Sequence, residues 1–314
     1  MKIVVTGALG HIGSSIIRSL PYAFPNSEII LIDNMMTQRF SSLFNLPTLV
    51  KYTFIETNII QYDLDSILRP DDIVIHLAAI TDAAGSFDRA EELEKNNFLA
   101  TKKVAESCLK SGTKLISLSS TSVYGTQNLI VSEDCSREEL KPQSPYAVTK
   151  LKEEEFILDL CTNKGLKAVI FRFGTIFGIS QGMRFHTAVN KFCWQAVMQQ
   201  PITVWRTAYD QRRPYLDLKD ASNAFIHVIK NNIFDGEIYN VLTLNATVKQ
   251  IVDSIKEFVP LLRIDFVDSK IMNQLSYEVS CEKFIKSGFQ FTGNLNEGVS
   301  DTIKLLKNCN FNNQ

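Results

Sequence analysis

The sequence predicts a doubly wound α/β protein, a mostly parallel sheet with helices on both faces, carrying a smaller mixed α/β lobe. Three observations predict it. Up to residue 120, short β-branched runs alternate with longer amphipathic stretches, the rhythm of βαβ units. Runs such as IVIHLA at 73–78 and AVIFRF at 168–173 are apolar nearly throughout, as suits strands covered on both faces. Glycines crowd the junction between the first run and the first amphipathic stretch, where a strand must end and a helix begin.

The series opens with a strand over 2–6, a helix over 12–20 and a strand over 28–33. Strands follow at 52–56, 72–76, 114–119 and 167–173, separated by helical patterns that include 91–110 and 146–163. Crossovers between parallel strands of this kind are right-handed. After Phe173 the rhythm breaks. Glycines and polar residues crowd GTIFGISQGMRF, and a helix-like stretch at 186–199 leads to the strand-like ITVW at 202–205. Alternation resumes at YLDLKDASNAFIHVIK and EIYNV, so the second lobe interrupts the first. The expected division is one domain over 1–173 with returning segments near 214–241, and a second lobe from 174–213 and 242–314. The Asn-rich end NCNFNNQ reads as a frayed tail.

The 314 residues are 45% hydrophobic and 21% charged, enough chain to bury about three quarters of the unfolded surface without a disulfide or metal staple. With 33 Lys+Arg against 34 Asp+Glu the net charge is -1, which argues against nucleic acid as a partner and requires any anionic ligand to be held locally. The six cysteines, at 108, 135, 161, 193, 281 and 309, form no Cys-x-x-Cys pair, so no metal site is expected. The opening MKIVVTGALG lacks the pattern of a signal peptide, and no window has the length of apolar chain that a membrane span needs. A cytoplasmic protein with free thiols and no membrane partner is expected.

Gly7-Ala8-Leu9-Gly10-His11-Ile12-Gly13 spaces three glycines at the first strand-to-helix junction. Glycines there let the backbone approach a pyrophosphate while the helix N-terminus offers unpaired N–H groups. His11 fills space in this turn. Asp33, with Asn34 after it, closes the second strand, where a carboxylate accepts from an adenosine ribose and repels a 2'-phosphate. The expected cofactor is therefore NAD, with Arg39 a nearby cation.

Tyr146 and Lys150 lie four apart just after Pro145, a helix-start position, and so project from one helical face. A phenol with an ordinary pKa of about 10 becomes a useful base only if something stabilises its phenolate, and an ammonium one turn away does so. A hydroxyl partner is available in Ser119-Ser120-Thr121-Ser122-Val123-Tyr124-Gly125, at the carboxyl end of a predicted central strand, with Ser120 the candidate.

With these residues in view the sequence resembles the extended short-chain dehydrogenase/reductases, specifically the NAD-dependent nucleotide-sugar epimerases and dehydratases. The resemblance covers nearly the whole chain. It rests on the glycine turn, Asp33, His76-Leu77-Ala78-Ala79, Asn97-Phe98-Leu99-Ala100-Thr101, the Ser119 to Gly125 segment, and Tyr146 with Lys150. The resemblance implies a Rossmann domain for the first lobe and a substrate-binding part for the second. It implies that Tyr146 takes a proton from a sugar hydroxyl, that Ser120 bonds the same oxygen, and that Lys150 contacts the nicotinamide ribose. It also implies that Asn58 and Ile59 flank the adenine, that Leu77, Ala78 and Ala79 line the cofactor, and that Asn97 orients the site. Asn58 stands where the family usually has Asp, and its amide oxygen can still accept.

Arg172 to Gly178 resembles the family's Arg-x-x-Asn-x-Tyr-Gly with Thr175 in the asparagine's place. Gly182-Met183-Arg184-Phe185, Asn190 and Arg213-Pro214-Tyr215 resemble stretches that hold the nucleotide diphosphate, where arginine suits phosphate. Gly85-Ser86-Phe87 is a loop guess for the sugar pocket. By the same resemblance the protein pairs as a homodimer through the helices over 91–110 and 146–163; the sequence does not show whether Phe98, Phe156 and Leu160 face a partner or the core.

The reaction follows from the two residues after Ser120. Where the resembling dehydratases carry Asp and Glu, this chain has Thr121 and Ser122, hydroxyls without the acid and base that elimination of water requires. Nor is there the Cys used for carbon-acid epimerisation. The expected function is a nucleotide-sugar epimerase that abstracts the C4 hydride and returns it to the other face of a 4-keto intermediate. The alternatives are a C4 dehydrogenase or reductase that releases a keto sugar, a small-ketone reductase, and a non-catalytic NAD-binding scaffold.

Overall fold

In the computed structural model, which describes residues 1–81, 90–125, 130–268 and 277–307, the apolar runs become strands and the amphipathic stretches helices. The first half runs β1 (Lys2–Thr6), α1 (His11–Ala23), β2 (Glu28–Asp33), β3 (Lys51–Glu56), β4 (Ile73–His76), α2 (Ala90–Ser111) and β5 (Lys114–Ser120). Next come β6 (Ile130–Val131), α3 (Pro145–Lys164), β7 (Ala168–Phe173), β8 (Thr175–Phe177), α4 (Ala188–Val197), β9 (Ile202–Trp205), β10 (Arg212–Asp217) and α5 (Leu218–Asn231). The chain closes with β11 (Ile238–Val241), β12 (Leu244–Thr247), α6 (Val248–Phe258), β13 (Ile264–Val267), β14 (Glu278–Val279), α7 (Glu282–Lys286) and α8 (Leu295–Leu306).

Seven parallel strands pair in the order β11-β7-β5-β4-β1-β2-β3. Because side chains alternate across a strand, Ile3 and Val5 of β1 join the core beneath α1 and α5, while Val4 joins the core beneath α2 and α3. β7 divides the same way, with Val169, Phe171 and Phe173 on one face and Ala168 and Ile170 on the other. The order of winding reverses between β1 and β4, which opens a crevice at their carboxyl ends.

β7 leads through Gly174 into β8, which leaves the main sheet and pairs with β10; β10 in turn pairs with β12. α4, α6 and α8 cover this smaller sheet around Phe177, Tyr215, Ile251 and Ile303. Two details differ from the division expected from sequence. Residues 214–217 belong to β10 and pair with β8 and β12, so the return to the main sheet comprises α5 and β11. Phe284 and Phe289, expected in the second lobe, pack instead on the first core beside Phe171 and Tyr239. Aromatic area outweighs sequence position here, because those rings find an apolar face only against the edge strands β7 and β11.

Candidate active site

The glycine turn is built by close approach. Gly7 has φ +65, and a Cβ there would lie 2.7 Å from the backbone of Leu77 and Ala78 at the end of β4. At Gly13 it would lie 2.4 Å from the Gly7 carbonyl oxygen. Gly10 caps α1 without a side-chain bond, so the helix opens on unpaired N–H groups that suit a phosphate. Asp33 braces the turn from β2, with Oδ2 accepting from Leu9 N at 3.0 Å and Oδ1 from Met35 N at 3.0 Å. The side chain of Asn34 accepts from Met36 N at 3.1 Å.

A cleft of about 350 Å³ runs from this turn across the carboxyl ends of the strands. It is lined by Gly7, Gly10, His11, Ile12, Gly13, Asp33, Asn34 and Arg39 at one end, and by Asn58, Ile59, Leu77, Ala78 and Ala79 along its wall. The Asn58 side-chain oxygen accepts from Ile60 N at 3.0 Å and retains a second lone pair. Asn97 lies behind that wall, nearly fully buried, exchanging bonds of 2.8 and 2.9 Å with the backbone of Ile80. Its effect on the site is to fix the chain after Ala79.

His11 does more than fill space. Its Nε2 lies 2.8 Å from the Gly178 carbonyl oxygen, which can only accept, so the ring carries its proton there. Burial pulls the imidazole down to about 4, and the neutral ring ties the turn to the second lobe.

The far end of the cleft gathers Ser119, Ser120, Tyr146 and Lys150 from β5 and α3, facing Phe173, Thr175, Arg184, His186 and Thr187 from the second lobe. α3 begins where the sequence reading put it, because Ser144 accepts from Ala147 N and Pro145 occupies the first turn. Ser120 Oγ accepts from Ser122 N at 3.2 Å and from Ser122 Oγ at 2.9 Å, which leaves its own hydrogen to donate. Lys150 Nζ lies 5.9 Å from the centre of the Tyr146 ring and donates to the Leu118 carbonyl at 3.0 Å and to Glu153 at 2.9 Å. Burial pushes the Tyr146 phenol up, Lys150 draws it back, Glu153 opposes Lys150, and Arg184 acts with Lys150. For Lys150, burial favours the neutral amine, but Glu153 and Tyr146 hold the ammonium above its ordinary range.

Three residues expected at the substrate are placed elsewhere. Thr121 is buried with its hydroxyl donating to the Phe173 carbonyl at 3.3 Å. Asn190 is fully buried behind the cleft, accepting from Gly178 N and donating to the Arg184 carbonyl at 3.1 Å, so it positions Arg184. Arg213 lies outside the cleft lining with its guanidinium 5.1 Å from the centre of the Tyr277 ring. Each had been placed by motif likeness, and tertiary hydrogen bonding or stacking directs the side chain away. The sugar-pocket guess at 85–87 lies outside the described residues.

The sequence reading also passed over several groups. Ser119 lines the cleft with a buried hydroxyl that has no hydrogen-bond partner. His186, bonded to Arg184, adds a titratable group at the sugar end. A Cβ on Gly182 would lie 2.3 Å from the Leu9 carbonyl oxygen, so this residue packs against the glycine turn. Glu153 is invisible in sequence because it sits in a run of three glutamates. Among the described residues no cluster of metal-ligating side chains occurs, and no helix is long and apolar enough to cross a membrane.

Residues 3–241 match the model of the NAD dependent epimerase/dehydratase family. The chain belongs to this family. The "uncharacterized UDP-glucose epimerase YtcB" of Bacillus subtilis (strain 168) is 32% identical over 77% of this chain and 76% of its own length. A trifunctional UDP-glucose 4,6-dehydratase/UDP-4-keto-6-deoxy-D-glucose 3,5-epimerase/UDP-4-keto-L-rhamnose-reductase of Arabidopsis thaliana is 26% identical over 96% of this chain, which spans 46% of that longer protein. Among solved structures, UDP-glucuronic acid 4-epimerase from Bacillus cereus in complex with UDP-glucuronic acid and NAD superposes with a TM-score of 0.88. Its identity to this chain is 26%, with 98% of this chain and 99% of that one covered.

The site suits the family's cofactor on its own evidence. The turn has no room for a Cβ at Gly7 or Gly13, and an orphaned Ser119 hydroxyl waits along the path from that turn to Tyr146.

Proposed function

We propose that this protein is an NAD-dependent nucleotide-sugar 4-epimerase. The observation that carries the reading is one cleft that joins a phosphate-binding turn to Ser120, Tyr146 and a buried Lys150. NAD, when bound, supplies the acceptor and later the donor of the C4 hydride. Tyr146 takes the C4 hydroxyl proton and gives it back after the keto sugar has turned; Ser120 donates to the same oxygen; Lys150 stabilises the phenolate. Gly7, Gly10, Ile12 and Gly13 hold the pyrophosphate, Asp33 and Asn34 the adenosine ribose, Asn58 and Ile59 the adenine, and Leu77, Ala78 and Ala79 the dinucleotide's length, with His11 and Asn97 as supports.

Residues 174–217 together with 242–281 and 292–307 form the substrate lobe. Within it Thr175 and Arg184 meet the sugar diphosphate, with His186 beside them. Thr121, Asn190 and Arg213 support these contacts from behind or beside the cleft. The nucleotide is a uridine diphosphate, supported by the relatives' substrates, and the protein works as a homodimer paired through α2 and α3. The absence of a carboxyl pair beside Ser120 speaks against dehydration: Thr121 is turned into the protein, and Ser122 offers a hydroxyl alone.

The test incubates the purified protein with NAD and a panel of UDP-, GDP-, CDP- and dTDP-sugars that includes UDP-glucose and UDP-glucuronic acid. NMR identifies products while absorbance follows NADH. The expected result is a C4 epimer with no net NADH. Stoichiometric NADH with a released keto sugar would make the protein a dehydrogenase instead.

A further inference from the structure

Lys150 is not alone with Tyr146. Its ammonium is 5% exposed and forms an ion pair of 2.9 Å with Glu153, one helical turn further along α3 and 2% exposed. Glu153 Oε2 also accepts from Thr101 Oγ1 on α2 at 3.0 Å, while Oε1 is buried with no hydrogen-bond partner. Thr101 Oγ1, having given its hydrogen to the carboxylate, accepts from His76 Nε2 at 3.2 Å. The other ring nitrogen, Nδ1, then accepts from Thr6 Oγ1 at 2.8 Å, and Thr6 Oγ1 accepts from Leu77 N and Ala78 N in the cleft wall. Every donor in this chain has one possible direction, so the carboxylate is held against Lys150 by a fixed network running from β1 through β4 and α2 to α3. Burial pulls the His76 imidazole down to about 3, so the link is neutral and the charge of the network resides on Glu153 and Lys150.

We infer that Glu153 is a positioning residue that holds Lys150 charged and aimed while cancelling much of its field at Tyr146, so that the phenol becomes a base chiefly when a further positive charge enters the cleft. A bare ammonium one turn from a phenol stabilises the phenolate at all times, whereas an ion pair presents the phenol with a dipole. The cleft supplies few other charges. Arg184 faces Tyr146 from the second lobe, bonded to His186; Glu154 on α3 is paired with Arg172 of β7; the β4 contribution is the neutral His76. The charge that completes the balance is the oxidised nicotinamide ring, so base strength is coupled to cofactor redox state. This inference rests on the proposed roles of Tyr146 and Lys150.

The test is Glu153→Gln, which keeps an oxygen for Lys150 and Thr101 but removes the charge. Loss of a buried negative charge favours proton loss at both Tyr146 and Lys150, so both limbs of the pH profile of kcat/KM move toward acid, by about one pH unit. A merely structural role lowers activity across the profile and leaves the limbs in place, and that result would overturn the inference. Glu153→Asp, which keeps the charge, should hold its limbs close to those of the wild type.

The wild-type protein gives a second reading that does not depend on the variants folding. Phenolate absorbance, taken as the difference from Tyr146→Phe, should show Tyr146 un-ionised near neutral pH without cofactor and ionising at lower pH once NAD is added. Phenolate near neutral pH in the absence of NAD refutes the inference. Both titrations stand even if no sugar nucleotide on the panel turns over, a result that would count against the epimerase reading alone.

Discussion

At the scale of single residues, this site works through groups that are kept from titrating. His11 is neutral because burial outweighs its bond to Gly178, and protonating it requires breaking the link between the glycine turn and the second lobe. An imidazole whose folded pKa is about 4 against about 6.5 when unfolded binds its proton preferentially in the unfolded chain. The stability it confers is therefore present above pH 6.5 and drains away as pH falls toward 4, amounting to about 2 kcal/mol by pH 5. Glutamine at this position can donate to the same carbonyl but cannot be protonated. Denaturant melts at pH 7 and pH 5 should show a smaller loss in His11→Gln than in the wild type. Equal losses would mean that His11 is charged, or not bonded to Gly178, in solution.

At the scale of elements, the segment that follows β8 serves as a clasp. Between Gly178 and Gly182 it receives the His11 bond, its Ser180 hydroxyl donates to the His11 carbonyl at 2.9 Å, and Gly182 N donates to Ser14 Oγ at 2.8 Å. Gly182 thus sits on the carbonyls of Leu9 and Gly10 with no space for a side chain. Backbone on both sides cannot yield as a flexible side chain would. Gly182→Ala is expected to cost about 1–3 kcal/mol and to weaken NAD binding by pushing the turn open. Urea denaturation and a fluorescence titration with NAD read the two effects, and a variant with wild-type values in both would show that the clasp is loose in solution.

At the scale of the whole molecule, α2 and α3 lie side by side over one face of the sheet and carry the proposed dimer contact. Leu160 is committed to the core, and Phe156 packs partly against it. Phe98 stands half-exposed, edge-on to Phe156 with ring centres 5.7 Å apart, and Lys152 reaches over it to pair with Glu94 at 2.6 Å. Beside Phe98, Leu99 is 37% exposed. Light scattering on the purified protein should give twice the chain mass, and Phe98→Glu should return it to the monomer. A monomeric wild type would retire the pairing.

The sequence by itself determined the architecture and the chemical core of the site. Periodicity marks β1 to β5 and β7 because a strand covered on both faces must be apolar at every position. The glycine turn is legible because only glycine permits that approach, as Gly7 against Leu77 shows. Tyr146 and Lys150 are legible because both lie on one helix, where spacing alone fixes their relation. What tertiary structure decided are relations between distant segments. Thr121, Asn190 and Arg213 match stretches of a motif, yet their partners Phe173, Gly178 and Tyr277 come from elsewhere and turn them from the cleft. Glu153 becomes the counter-ion of Lys150 only because α2 brings Thr101, and β4 brings His76, to the same buried point. Local sequence fixes the direction of a backbone, but the direction of a buried polar side chain is set by whichever partner folding delivers to it.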